Sequence, residues 1–495
     1  MTSNAYVSNK EAGEILSKEL LALTLRDRNE ITEEIHGVSS MAVEETPELL
    51  IRSLSMLEEE LQVMPESKKK YYTKALSLPD SYVQKDRFKL RFLRTCLFRP
   101  KEAAERIIKH LTNIAECFGE QCLQRPVCLD DFTKSEQRTM KKGGLQLLPY
   151  RDRAGRRILI SFPTDHISGL TPDVRVKISL YLTSIVTTNG HVEDLETQRK
   201  GIVVIMWFDP EFKMGGGMTG SAVKRLKHQA PVRASAFHIC APKTLKFRFG
   251  RFLVTKSAVL PRIRLHLGSP MELLYTLNSF GIPSQNLPIT NGGQIKTTYI
   301  IQWFKTRKII ESGNAESKIV VESPHSSDVV FKRGGGAVHN AGNSKFRSII
   351  QKKYEEGDFT YKTQSALVDE LQKELTLGGF RIVIWNEKLS RFVHSTDKKT
   401  IQSKVEYSIR SFREKDSQSV NRRTADVLLE HNKTSGAITR SLDFDVSSSR
   451  KRFKFIDGNM NANGINFYDC GSDSDSGRED FCNCTAQNLV KFHFD

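Results

Sequence analysis

Eight consecutive residues, GIVVIMWF at 201–208, do most to limit the fold of this chain. A strand points successive side chains to opposite faces, so a run that is apolar throughout needs cover on both. That is the central strand of a parallel sheet with helices packed above and below. The neighbourhood repeats the theme. RILISF at 157–162, ASAFHICAP at 234–242 and RIRLHLG at 262–268 read as further strands, and RDRAGR at 151–156 as a turn. VRVKISLYLTSIVTT at 174–188, AVKRLKHQ at 222–229 and MELLYTLNSFG at 271–281 read as helices. Alternating strands and helices predict an α/β domain.

The chain has 495 residues, too many for one core. Residues 1–84 are expected as a helical lead-in. In 85–140, Phe88, Phe92 and Leu93 share one helix face and Pro100 opens a second helix. The sheet domain is expected over 141–310, a polar linker over 311–324, a small α+β domain over 325–413, and a largely disordered tail over 414–495. No apolar run approaches the ~20 residues of a spanning helix, and the N-terminus lacks a basic-then-apolar signal pattern. Eight irregularly spaced cysteines suit a reducing compartment. A cytoplasmic, membrane-peripheral location is the expectation, with the nucleus left open.

The net charge is +17, and residues 141–310 alone carry 26 basic against 9 acidic side chains. Between Glu211 and Glu272 there are twelve Lys or Arg, three His and no acid. That footprint suits an anionic partner.

Catalytic patterns fail on inspection. GGGMTG at 215–220 has the spacing of a dinucleotide loop, but the next acid is Glu272 and a P-loop lysine is replaced by Ser221. Cys240 is followed six residues later by Lys246, not by the Arg of a cysteine phosphatase. Cys482, Cys484 and His493 form only a loose metal pattern. The expectation is a non-enzyme with no metal and no cofactor. FKRGGGAVHNAGN at 331–343 reads equally as an anion-binding nest or as a tight structural turn.

The stretch 242–268 combines seven Lys or Arg with many apolar residues and no acid. As a helix over 244–260, it puts Leu245, Phe249, Phe252 and Leu253 on one face. Phe247 and Val254 fall opposite, beside Arg251, with Lys246 and Arg248 flanking. An outward apolar ridge rimmed by cations fits an anionic bilayer interface. Lys256 sits among the inward apolar residues, where a headgroup phosphate would relieve its cost; snorkelling to the rim is the alternative.

The order of DRFKLRFLRTCLFRPKEAAERI, LPYRDRAGRRILIS, GIVVIMWFDP, PVRASAFHICAPK with its basic helix, RIRLHLG and LNSFGIPSQNLPITNGG resembles the CRAL-TRIO lipid-binding family over about 85–300. The resemblance implies one lipid held between the sheet and a hinged gate helix, Thr244 to Leu260. The pocket would be lined by Leu180, Ile185, Ile205, Phe237 and Ile239 besides the inward gate residues. The family often has Lys-Pro-Phe-Leu in the gate; here stands Leu253-Val254-Thr255-Lys256. Phosphatidylinositol recognition therefore does not carry over directly, and Lys256 is the candidate substitute. Residues 325–413 resemble a domain of unknown function common in diatoms and other stramenopiles, through DVVFKRGGGAVHNAGNSKFR and GGFRIVIWNEKLSRFV. The positions that carry this likeness are Asp328, Arg333, Gly334, Gly335, Gly336, His339, Asn343 and Trp385; Lys332 replaces the usual Gly.

The resulting expectation is binding, and possible intermembrane transfer, of one hydrophobic small molecule or phospholipid at anionic membranes, with a protein partner for the second domain. The alternative is a nucleic-acid-binding or signalling scaffold protein that uses the basic surface and the glycine-rich domain.

Overall fold

The structure is a computed structural model and describes residues 42–163, 171–190, 192–208, 229–244, 263–332, 340–356, 364–387 and 389–414. It is a mixed α/β molecule.

Among the described residues, four helices come first. In α1, Pro47–Val63, Pro47 sits where its missing N–H costs nothing, and Thr46 Oγ1 accepts from Leu49 N. After α2, Glu66–Ser77, come α3, Asp86–Thr95, and α4, Pro100–Phe118, which likewise begins at a proline. Phe88, Phe92 and Leu93 are buried together against Leu57, Leu61, Ile107 and Leu111. Each such side chain contributes roughly 1.5–3 kcal/mol. Glu45 joins this bundle to the next domain: its carboxylate takes Arg94 and Arg199 at once. Burial pushes its pKa up, but the two guanidinium groups outweigh that and hold it at about 2.

The short α5, Lys134–Lys141, leads into β1, Leu145–Arg151, which pairs antiparallel with β2, Arg157–Ser161. Gly155 in the connecting turn has φ +85°, and a Cβ there would meet Glu196 Oε1 at 2.4 Å. Then follow α6, Pro172–Ile185; a two-residue hairpin of β3, Thr188–Asn189, and β4, Val192–Glu193; α7, Leu195–Lys200; β5, Ile202–Trp207; β6, Ala234–Ala241; and β7, Ile263–Leu267. The sheet order is β1-β2-β5-β6-β7, with every pair after the first parallel. All six residues of β5 are buried. Ile202, Val204 and Met206 join one core with α6; Val203, Ile205 and Trp207 join the other. Helix α8, Pro270–Ser279, covers the second face, and α9, Thr298–Ser312, returns to the first.

A second sheet follows directly. Its elements are β8, Val320–Val321; β9, Val329–Phe331; α10, Ala341–Glu355; α11, Gln364–Leu377; β10, Ile382–Asn386; β11, Arg391–His394; and α12 over 398–414. The order is β8-β11-β10-β9, and only β9–β10 is parallel. Phe346, Ile350, Leu367, Leu371, Val405 and Ile409 pack beneath one face. Val321, Val330, Val383 and Phe392 form a separate cluster with Tyr150 of β1. The stretch expected as a linker, 311–324, therefore contains the end of α9, a 3₁₀ turn capped by Asn314, and β8. Glu322 and Ser323 within it are buried. Most of the expected tail, 415–495, lies outside the described residues.

Candidate functional site

Strands β6 and β7 lie side by side, and residues 242–262 connect them. The described residues stop at Thr244 and resume at Ile263. Leu245, Lys246, Phe247, Arg248, Phe249, Arg251, Phe252, Leu253, Val254 and Lys256 lie outside them. What the structure describes is the floor on either side. Alternation along β6 and β7 sends Phe237, Ile239, Ile263, Leu265 and Leu267 to the α6 side of the sheet. Phe237 is buried, but Ile239 and the three β7 residues are only half-buried. Val174 and Val176 of α6 are half-buried against the same core. An apolar stripe thus stays partly open where the chain leaves the sheet.

The five proposed pocket residues from the sheet and α6 divide. Leu180, Ile185, Phe237 and Ile239 belong to this side, and the first three are packed core residues. Ile205 is fully buried on the opposite side with Val203 and Trp207. In the register of the sheet it pairs with His238, which also faces away from the stripe.

On that opposite side His238 and His266 stack, with Nδ1 of the first 2.9 Å from Nε2 of the second. Phe280 packs edge-on against His238, and the Arg264 guanidinium lies 4.9 Å from its ring centre. Burial, helped by the partner ring and the nearby arginines, pushes His238 down to about 3. Burial and Arg264 push His266 down to about 4. Two neutral rings can share a single N–H; two imidazolium ions could not stack so. Burial also pushes the Cys240 thiol well up, which withholds the thiolate that nucleophilic chemistry needs.

In the second domain the three described motif residues all build structure. The Asp328 carboxylate accepts from Arg381 Nε at 3.0 Å and Nη2 at 2.6 Å, and from the backbone N–H of His325 at 2.6 Å. Asn343 Oδ1 accepts from Val330 N at 2.6 Å, and its Nδ2 donates to Val330 O at 2.9 Å. Beside it, a Cβ on Gly342 would come 2.1 Å from the Asp328 carbonyl oxygen, so helix α10 approaches the strand as only glycine allows. Trp385 stacks on Lys332, whose ammonium lies 4.6 Å from that ring and 4.7 Å from the Tyr150 ring, and hydrogen-bonds the Tyr150 hydroxyl. Burial lowers the Lys332 pKa, opposed by Glu387. Arg333, Gly334, Gly335, Gly336 and His339 lie outside the described residues.

Sequence reasoning missed the polar seam between the two sheets. Glu322 is its centre, accepting from Trp303 Nε1 at 2.7 Å, Arg157 at 3.2 Å and Arg307 at 3.4 Å. Arg157 is fully buried; burial pulls its pKa down, and Glu322 opposes that. Asn189 receives the backbone N–H groups of Glu322 and Ser323 and donates to the Ser323 carbonyl. Arg151 donates to the Pro324 carbonyl at 2.7 Å and to Asp194 at 2.5 Å. Burial would raise Asp194, but Arg151, His325 and Arg157 together hold it at about 2. A cleft of ≈ 70 Å³ opens beside the seam, among Tyr150, Arg151, Asp152, Pro324, Asn340 and Phe392. The available hint was a charged pair, Arg156-Arg157, at the head of an otherwise apolar strand.

No family model matches the chain, and no curated protein matches it. Among solved structures it is similar to one described as the crystal structure of Sfh5, at 11% identity and a TM-score of 0.30, covering 54% of this chain and 100% of that one.

Proposed function

We propose that the five-stranded sheet domain binds one amphiphilic lipid-like molecule on the α6 side of β6 and β7 and exchanges it at anionic membranes. The half-open apolar stripe of Ile239, Ile263, Leu265 and Leu267 carries this reading. Apolar strand residues left partly uncovered cost free energy, about 25 cal/mol per Å² that stays wet, and an apolar ligand recovers it. The sequence of 244–260 supplies cations and apolar groups in the mixture an anionic interface takes up. Among the described residues no helix is long and apolar enough to cross a bilayer, so the reading is of docking on a surface. The 325–413 domain is proposed to receive a protein partner while it rides on the lipid domain through the buried seam.

Native mass spectrometry of the purified full chain tests the ligand: one non-covalent amphiphile per chain is expected. A bare polypeptide mass, persisting after incubation with total lipid extract, sinks the reading. Co-purifying RNA or DNA without lipid favours the nucleic-acid alternative. The triple reversal Arg248→Glu, Arg251→Glu, Lys256→Glu is expected to abolish binding to phosphatidylserine vesicles.

A further inference from the structure

Helices α5 and α9 are in contact, and Lys141 of the first lies over the Phe304 ring of the second, so their exposed residues border one another. On α5 and its C-cap this face carries Arg138, Lys141 and Lys142; on α9, Ile301, Lys305 and Lys308 follow at spacings of four and three, which is one stripe of a helix. All six side chains are exposed, Ile301 by 42%. The five cations have no carboxylate partner among the described residues. The acids of these two helices are engaged elsewhere: Glu136 with Lys177, and Glu311 with Arg307, the Tyr181 hydroxyl and the Leu129 N–H. Lys141 and Lys308 both reach the buried Phe304 ring, at 4.6 and 5.6 Å from its centre, so two ammonium groups converge with no acid between them.

The placement of this face adds a second observation. Lys141 and Lys142 lie just before β1, whose first residue, Leu145, pairs with Ser161 at the end of β2. Strands β2, β5 and β6 are parallel, so Ser161, Trp207 and Ala241 finish at one end of the sheet. The chain leaves β6 after Ala241 at that end. We propose that the α5–α9 face is a docking surface for an anionic bilayer, at the end of the sheet where the chain leaves β6. This rests on the lipid-binding reading above. The face offers dispersed ammonium groups around one exposed aliphatic side chain, with no exposed aromatic ring on which a base would stack.

The test uses the full chain and vesicles of phosphatidylcholine with and without phosphatidylserine. The variant Lys141→Gln, Lys142→Gln, Lys305→Gln, Lys308→Gln is compared with a control of equal charge, Lys101→Gln, Lys318→Gln, Lys373→Gln, Lys399→Gln. The first is expected to lose binding to phosphatidylserine vesicles by about a hundredfold to a thousandfold, on the order of what four lysines near an anionic surface contribute, and the control to lose far less. Thermal melting and lipid occupancy by native mass spectrometry should stay at parental values in both. Equal losses in the two variants overturn the assignment, as does a parent indifferent to phosphatidylserine. A patch variant that keeps vesicle binding and loses binding to single-stranded RNA overturns it in favour of a nucleic-acid surface. Because occupancy is read separately, an empty pocket and a failed docking face give different results.

Discussion

The two edges of the five-stranded sheet break the same rule in opposite senses. At the β1–β2 edge, charges are buried: Arg157, Asp194 and Glu322 have lost almost all contact with water. At the β6–β7 edge, apolar side chains stay half-open. A buried charge survives only where partners are fixed in place, so the first edge marks a permanent joint. An uncovered apolar strand suits a surface that something else covers part of the time. The difference separates an edge fixed by paired charges from an edge that the proposed ligand would cover.

The sharpest way to break that comparison is Glu322→Gln. It keeps the shape but leaves Arg157 and Arg307 facing a neutral amide. A loss of roughly 3–5 kcal/mol in urea unfolding is expected; an unchanged midpoint would show the joint to be dispensable. Acid comes next. His238 is held neutral in the fold, facing His266, Arg156 and Arg264, with a pKa of about 3 against an ordinary 6.5. Above pH 6.5 neither folded nor unfolded chain binds its proton. Below it the unfolded chain does and the folded one refuses, so stability falls as pH drops towards 3. The expected slope is on the order of 1.4 kcal/mol per pH unit, and His238→Gln should remove that part of it. The smallest effect on stability belongs to the open edge. Ile239→Ser with Leu265→Ser should cost only about 1–2 kcal/mol of folding free energy, yet sharply lower lipid occupancy in native mass spectra. A large unfolding penalty with intact occupancy would show the stripe to be ordinary core.

Much of the architecture was legible. The apolar run at 201–208 announced the strand covered on both faces, and Pro100 announced a helix start, because both signals are local. The parity of Ile205 was not legible, since a run apolar at every position carries no period by which to tell its faces apart. The seam was hidden for a different reason. Arg157 and Glu322 are 165 residues apart, and a charge looks the same in sequence whether it meets water or a distant partner. The polarity of the stretch expected as a linker, 311–324, therefore hid the strand Val320–Val321 within it. Asp328 and Asn343 stood out as motif positions, but polar residues that clamp backbone to backbone are indistinguishable in sequence from polar residues that await a ligand.

The Asn343 clamp has a consequence for how copies of this molecule behave beside one another. β9 is the outermost strand of the four-stranded sheet and is three residues long. The Val330 N–H and C=O, which an incoming strand would use, are both taken by one side-chain amide. That border is sealed against polymerisation by strand addition. A protein recruited to the second domain would accordingly have to recognise side chains there.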